Sequence, residues 1–110
     1  MKRYSVIYSP AAWQDLRSIA AYISFALNAP AAAKRQVSRI RNDIRSLETL
    51  PLRYARVENS SWSEFGVRRM PVNRYLVFYR VDEASASVII LRIVYGGRDL
   101  NSISLEEPEE

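Results

Sequence analysis

The sequence predicts an α+β domain with the element order β-α-α-β-β-β, in which an antiparallel sheet packs against an N-terminal helical hairpin. Two consecutive segments of the first half carry apolar residues at helical spacing, and three later runs are rich in β-branched and aromatic residues. A short run of the same strand-like kind opens the chain. The 110 residues fit one domain. We expect this domain to occupy residues 1–100 and an acidic, mobile tail to occupy residues 101–110.

The N-terminal half is predicted to form one strand and two helices. The strand covers residues 4–8, and Ser9 with Pro10 indicates a helix start, because Ser caps a first turn and Pro suits the first helical position. Asn28-Ala29-Pro30 interrupts the helical spacing, and a second helix follows that ends before Pro51. Such a short connection folds the helices back as an antiparallel hairpin. The apolar faces comprise Ala12, Leu16, Ile19, Ile23 and Ala26 in the first helix and Ala33, Val37, Ile40, Ile44 and Leu47 in the second.

The C-terminal half is predicted to form three strands that pair as consecutive hairpins. An irregular connecting loop covers residues 52–64, and strand-like runs follow at residues 65–72, 75–81 and 88–95, with a tight turn at Asn73-Arg74. Regular alternation of side chains places Ile89, Leu91, Ile93 and Tyr95 on one face of the last strand and Val88, Ile90, Arg92 and Val94 on the other. Because the helices can cover only one apolar face, the other is either partly exposed or covered by something else, and we interpret it as a surface for a protein partner.

The composition excludes several classes of chemistry. Without Cys the chain has no disulfide, no thiolate nucleophile and no cysteine-ligated metal, and without His it lacks the commonest general base and metal ligand. We therefore expect no metal site, no cofactor and no conventional hydrolase. No apolar run approaches the roughly 20 residues that a membrane-spanning helix needs, and no signal peptide is recognised. A cytoplasmic protein without membrane partners is the expectation.

The charge is strongly basic once the C-terminal tail is set aside. Residues 1–105 hold 16 basic and 8 acidic residues, a net charge of +8, and 14 of the basic residues are Arg. Such a domain attracts nucleic acid or an acidic protein, and Arg favours planar, bidentate contacts. The alternative is a solvated basic surface that only keeps the protein soluble.

The C-terminal strands carry a resemblance to a known family. The runs from Gly66 to Val81 and from Val88 to Leu100 resemble the second half of ParE toxins, which belong to the RelE/ParE superfamily of type II toxin–antitoxin systems. The strand that precedes Ser9-Pro10-Ala11-Ala12, and the segment from Leu47 to Pro51, are also similar to that family. The resemblance covers about residues 3–100, and the predicted element order is the family's fold.

The resemblance implies a toxin that arrests growth by inhibiting DNA gyrase and that is neutralised by a ParD-like antitoxin. Such an antitoxin is a ribbon-helix-helix dimer with an acidic C-terminal segment, so the toxin meets DNA only indirectly through the complex. We expect the target-binding residues to be Arg68, Arg69, Arg74, Tyr95 and Arg98, the last presented by the Gly96-Gly97 turn. We expect antitoxin contacts at Trp13, Leu16, Arg17, Ala20, Ile23, Phe25, Phe78, Arg80 and Arg92.

Several of these residues have structural alternatives. Arg68 and Arg69 point to opposite faces of their strand, so the inward one needs a carboxylate or backbone acceptor. For Arg80 and Arg92 the alternative to partner binding is a cross-strand ion pair with Asp or Glu. For Trp13 the alternative is ordinary packing.

Two other functions remain open from the sequence. One is a RelE-like, ribosome-dependent mRNA endonuclease, whose catalytic set would be Arg69, Arg80, Tyr95 and Arg98. ParE-like sequences commonly carry His where Tyr95 stands, and Arg is a poor base because its pKa exceeds about 12. We therefore expect a binding protein and not an enzyme. The other function is a free-standing nucleic-acid-binding module, although the chain has no helix-turn-helix pattern.

Overall fold

The computed structural model describes residues 2–58 and 61–97. The element order is the predicted β-α-α-β-β-β. Two helices, α1 (Pro10–Ala21) and α2 (Pro30–Arg45), follow strand β1 (Ser5–Tyr8) and precede strands β2 (Arg68–Val72), β3 (Tyr75–Asp82) and β4 (Ser87–Tyr95). The predicted acidic tail at 101–110 lies outside the described residues. In the described part of the chain, no helix has the length and hydropathy needed to cross a membrane.

The sheet is mixed, with the strand order β1-β4-β3-β2. β2, β3 and β4 form the predicted antiparallel meander, whereas β1 pairs with β4 in parallel. The predicted antiparallel pairing thus holds for β2, β3 and β4, and β1 is a parallel addition to that sheet. A parallel pair needs a long crossover connection, and the two helices with the first strands of the meander supply it.

The start of α1 confirms the predicted cap. The Ser9 hydroxyl accepts a hydrogen bond from the Ala12 amide (3.0 Å) and donates one to the Leu91 carbonyl (2.9 Å). Pro10 occupies the first helical position. The buried Ser9 side chain thus begins the helix and ties it to β4.

The end of the first helix differs from the prediction. The last turn, Tyr22–Ala26, is a π-helix, and Asn28 in the left-handed region (φ 53°) ends the segment before α2. The wider turn shifts the side chains around the axis, so Ala26 is exposed and not part of the apolar face. Ala12 and Leu16 are buried as predicted.

The main core lies between the helices and one face of the sheet. Its helical part comes from the predicted faces, and its sheet part includes Met70, Val77 and Tyr79. The Tyr79 hydroxyl donates a 2.6 Å hydrogen bond to the Pro51 carbonyl, and burial raises the pKa of Tyr79 to about 12. This bond anchors the chain where it leaves the helical layer.

The second face of the sheet is covered by the chain itself. Val57, Trp62 and Val67 pack over Phe78, and the Trp62 and Phe78 rings meet edge to face with centroids 4.7 Å apart. The segment predicted as a polar connecting loop forms this cover. This face is therefore the covered one of the two possibilities, and its interpretation as a surface for a protein partner is wrong. Val57, Trp62 and Val67 close it at a spacing of five residues, which is typical of neither a helix nor a strand.

A β-bulge interrupts the alternation along β4. Phe78 lies opposite Arg92 but Tyr79 lies opposite Ile90, so Leu91 is the extra residue. The two faces exchange at this point: Val88 and Ile90 share the main core with Ile93, and Ile89 and Leu91 share the second core with Val94. The predicted grouping of Ile89 and Leu91 with Ile93 is wrong for this reason.

Candidate functional site

A cavity of about 1050 Å³ lies between the tip of the helical hairpin and the end of the sheet where β2 turns into β3. We call it the hairpin-tip groove. It is lined by Asp15, Ser18, Ile19, Tyr22, Ile23, Leu27, Ala32, Gln36, Asn73, Arg74, Tyr75, Ile93, Val94 and Tyr95. Three of these side chains are more than half exposed although they are large and apolar in part: Tyr22 (59%), Leu27 (55%) and Tyr95 (51%).

An ion pair holds α1 against β4 at the inner end of the groove. The Asp15 carboxylate accepts hydrogen bonds from Arg92 Nε (2.8 Å), Arg92 Nη2 (2.9 Å) and the Ile93 amide (2.8 Å). The side chains are only 13% (Asp15) and 15% (Arg92) exposed. A bidentate, charge-assisted pair of this kind is directional, so it fixes the spacing of the two walls.

Aromatic rings form the sheet side of the groove. Tyr75 and Tyr95 face each other across β3 and β4, with ring centroids 6.1 Å apart and planes nearly perpendicular (85°). Burial raises the pKa of Tyr75, and the neighbouring Tyr22 and Tyr95 hydroxyls add to the rise. The Tyr75 phenol therefore stays neutral at physiological pH, and the two rings offer apolar contact area with hydroxyl groups at the edge.

The rim of the groove is polar and cationic. Asn73 donates a hydrogen bond to the Gln36 side-chain oxygen (3.3 Å), and the Gly96 amide donates one to the Arg74 carbonyl (2.8 Å). Within residues 2–58 and 61–97, no carboxylate forms an ion pair with Arg74. Since Arg92 already neutralises Asp15, the groove presents net positive charge beside its apolar surface.

The structure separates the predicted target-binding residues. Arg74 and Tyr95 both line the hairpin-tip groove. Arg68 is the inward arginine of its pair and donates hydrogen bonds to the Leu52 (3.3 Å) and Tyr54 (2.8 Å) carbonyls, which confirms the predicted backbone acceptor. The neighbouring Arg69 is exposed on the opposite side of β2. Arg98 lies outside the described residues.

The predicted ribonuclease residues do not form one cluster. Tyr95 lies opposite Tyr75, whereas Arg80 lies opposite Ile89. These positions on β3 are five residues apart, about 17 Å at about 3.4 Å per residue.

Part of the predicted antitoxin set lies on the outer face of α1. Trp13 and Arg17 are exposed, and Ala20 is half-buried. The Trp13 ring stacks on Tyr8 with centroids 4.4 Å apart, and the Arg41 guanidinium lies 5.2 Å from the Trp13 centroid. This cation–π arrangement joins β1, α1 and α2 at the surface.

The other members of that set have different surroundings. Ile23 lines the hairpin-tip groove, and Phe25 is 84% exposed at the tip of the hairpin. Leu16 and Phe78 are core residues, and Arg92 is engaged by Asp15. Phe78 would reach a partner only if the cover formed by Trp62 moved.

Sequence reasoning did not identify Asp15, Tyr75, Gln36 or Leu27 as site residues. Asp15 does carry a signal, because it is the only acidic residue before position 43 and stands in a basic domain. Its pairing with Arg92 depends on where α1 crosses the sheet, which spacing within one element does not reveal. In the described part of the chain, no group of His, Cys, Asp or Glu side chains is arranged to hold a metal ion.

Comparison with known families gives a match over most of the chain. The family model described as ParE toxin of type II toxin-antitoxin system, parDE, matches residues 6–100. No curated protein sequence matches the chain.

Solved structures show the same fold. The chain is similar to a structure of the chromosomal ParDE system from P. aeruginosa, with a TM-score of 0.71, 21% identity, and coverage of 86% of this chain and 98% of the other. It is also similar to a chain of the toxin-antitoxin complex RelBE2 from Mycobacterium tuberculosis (TM-score 0.62, 21% identity, coverage 86% and 93%). The archaeal RelE-RelB complex from Pyrococcus horikoshii is a third match (TM-score 0.61, 19% identity, coverage 90% and 100%). These likenesses confirm the RelE/ParE-like fold that the sequence predicts.

Proposed function

The chain belongs to the family of ParE toxins of type II toxin–antitoxin systems, and from that premise we propose that it arrests growth by inhibiting DNA gyrase and is neutralised by a ParD-like antitoxin bound in the hairpin-tip groove. The matched structures from M. tuberculosis and P. horikoshii are complexes of a toxin with its antitoxin. These structural neighbours support an antitoxin partner for this chain.

The observation that carries the antitoxin site is the combination of exposed apolar groups with a cationic rim. Tyr22, Leu27 and Tyr95 leave more than half of their surface exposed around one cavity, which is unusual for apolar surface in a monomer. Arg74 at the rim has no ion pair among the described residues. An amphipathic segment with apolar and acidic side chains complements both properties, as helix-in-groove partners do.

Charge supports the same kind of partner over a longer range. Residues 1–105 carry a net charge of +8, and a disordered acidic segment is attracted to such a domain before it makes contact. Electrostatic steering raises the association rate more than the final affinity. The antitoxin's own DNA-binding half would then bring the pair to its operator.

Inhibition of gyrase needs a binding surface and no catalytic group. The chain has neither His nor Cys, and Arg80 and Tyr95 lie at opposite ends of β3 and β4. Both facts favour a toxin that acts by binding over one that cleaves RNA. The RelE-like structural neighbours keep ribosome-dependent mRNA cleavage as the alternative that the experiment must separate.

The groove is tested with two leucines of similar exposure. Leu27 (55% exposed) lines the groove, and Leu52 (50% exposed) does not. We expect Leu27→Glu to weaken antitoxin affinity at least tenfold, which corresponds to about 1.4 kcal/mol, because the change removes apolar contact and adds repulsion to an acidic partner. Leu52→Glu is the matched control and should change affinity by less than about twofold. Isothermal titration of both variants gives the comparison, and equal affinities would place the antitoxin elsewhere.

The target is tested with purified protein in two parallel assays. We expect the protein to block supercoiling by gyrase and to leave ribosome-bound mRNA intact. Arg69→Ala should relieve the block and leave antitoxin affinity unchanged, because Arg69 is an expected target-binding residue that is exposed and does not line the groove. Cleavage of mRNA within the reading frame would instead establish the RelE-like alternative.

A further inference from the structure

The solvent side of α2 carries two rows of cations. At 3.6 residues per turn, Lys34 and Arg45 lie about 20° apart around the helix axis, and Arg35 and Arg39 form a second row about 100° away. All four side chains are exposed. Small polar side chains lie between the rows, namely Ser38 and Asn42.

The space between these rows is a shallow depression that continues past the end of the helix. One part, about 460 Å³, is lined by Lys34, Arg35, Ser38, Arg39 and Asn42. A second part, about 280 Å³, is lined by Arg3, Asn42, Arg45, Ser46, Glu48 and Thr49. The two parts share Asn42 and together form what we call the basic furrow. It lies on the opposite side of α2 from the buried residues Ala33, Ile40 and Ile44.

Most of the positive charge of the basic furrow is uncompensated. In the described part of the chain, no carboxylate pairs with Lys34, Arg35 or Arg45. Two pairs, Arg39–Asp43 and Arg3–Glu48, are exposed and long at 3.5 Å. Such pairs contribute about 0–1 kcal/mol and exchange readily for another anion.

We propose that the basic furrow binds the phosphodiester backbone of a nucleic-acid duplex directly and without reading its sequence. Flanking cations with Asn and Ser between them supply charge and hydrogen-bond donors suited to phosphate oxygens. The helix spans about 17 Å from Lys34 to Arg45, and one strand of a duplex advances about 3.4 Å per phosphate, so about five phosphates fit along it. This contact is additional to any DNA reached through an antitoxin, and it does not rest on the proposed function.

The surface chemistry of the furrow favours a duplex over a protein or a single strand. None of the exposed large apolar side chains lines it, whereas a protein interface needs such anchors at its centre. No aromatic side chain lines it either, and single-stranded ligands gain much of their affinity by stacking bases on aromatic rings. The apolar hairpin-tip groove and the polar basic furrow thus suit partners of different chemistry.

The test uses fluorescence anisotropy of the full-length protein with a labelled 24-base-pair DNA duplex of mixed sequence, titrated between 50 and 200 mM salt. The furrow variant is Lys34→Gln/Arg35→Gln/Arg39→Gln, and the charge-matched control is Lys2→Gln/Arg17→Gln/Arg56→Gln, whose three residues are exposed elsewhere. Gln preserves helix propensity, and circular dichroism checks the fold of each variant.

We expect the furrow variant to lose at least tenfold in affinity at 50 mM salt, and the control to lose less than threefold. The dependence of log K on log salt should become shallower by about 2.7 in the furrow variant, because about 0.9 counterions are released for each phosphate contacted. A duplex RNA of the same length that binds comparably supports the same backbone chemistry.

Three results would overturn the proposal. An equal loss in the furrow variant and in the control would mean that only net charge attracts the duplex. A single strand bound tenfold more tightly than the duplex would contradict backbone recognition of a double helix. In the third, polyglutamate and unlabelled duplex compete with the labelled duplex. If polyglutamate displaces it at a lower concentration of negative charges than the unlabelled duplex does, the furrow is a site for an acidic protein.

Discussion

The ion pair between Asp15 and Arg92 offers a sharp test of how α1 is held on the sheet. Asp15 accepts three hydrogen bonds of 2.8 to 2.9 Å, two from Arg92 and one from the Ile93 amide beside the β-bulge. Asp15→Ala removes the acceptor and leaves the Arg92 guanidinium 15% exposed with its charge uncompensated by Asp15. The substitution deletes little volume, so its effect reports the polar contacts.

The expected loss is large compared with the stability of a small domain. Breaking a buried ion pair by removing one partner costs about 3–5 kcal/mol, and domains of this kind have total stabilities of about 5–15 kcal/mol. We expect a loss of about 3 kcal/mol, at the lower end, because both side chains keep some contact with water. With an m-value of about 1.5 kcal/mol per molar urea, the unfolding midpoint should fall by about 2 M.

Two further variants separate the causes. Asp43→Ala removes the exposed partner of Arg39 and should cost no more than about 0.5 kcal/mol. The double variant Asp15→Leu/Arg92→Met replaces both charges and leaves the Ile93 amide without its Asp15 acceptor, so we expect a loss of about 1–2 kcal/mol. Urea unfolding followed by circular dichroism measures all three. A loss under 1 kcal/mol for Asp15→Ala, or a double variant as unstable as Asp15→Ala, would refute the role given to the Asp15–Arg92 ion pair.

Two other predictions follow from the cores. Burial raises the pKa of Tyr79 to about 12 from an unfolded value near 10.0, so the stability that depends on the neutral phenol is complete below pH 10 and is lost as pH rises through 12. Tyr79→Phe should remove that loss of stability at alkaline pH. It should also lower the free energy of unfolding by about 1–2 kcal/mol near pH 7, because the Pro51 carbonyl loses its donor. Unfolding curves at pH 8 and 11 measure both effects, and an unchanged alkaline loss in the variant would contradict the prediction. Trp62→Ala should lower the free energy of unfolding by about 3–5 kcal/mol, because it removes the ring that packs over Phe78. Trp13→Ala at the surface should lower it clearly less. Similar losses for both variants would mean that the packing of Trp62 adds little stability.

Local patterns in the chain were sufficient to predict most of the fold. Ser9 and Pro10 begin α1 because a hydroxyl acceptor and a fixed φ act within one turn, and the structure shows both. The tight turn at Asn73-Arg74 follows from neighbouring residues alone, with Asn73 in the left-handed region (φ 53°). Apolar spacing likewise predicted which faces of the helices are buried, up to the π-helical turn. Interactions between residues close in sequence decide all of these features.

The candidate site was predictable only in part. Arg74, Tyr95 and Ile23 were expected to bind partners, and the structure brings them to one groove. Asp15 and Tyr75 were not expected there, because their positions depend on which strand and which register face α1.

Long-range packing decided the remaining features. The parallel pairing of β1 with β4 joins residues about 80 positions apart, and strand propensity carries no information about strand direction. The bulge at Leu91 reverses the faces of β4 because one extra residue shifts a period of two, and its position is set by the fit of β3 against β4. Trp62 closes the second core because Phe78 offers its ring from another strand. Arg92 is held in an ion pair and not freely exposed because α1 crosses the sheet where Asp15 reaches it.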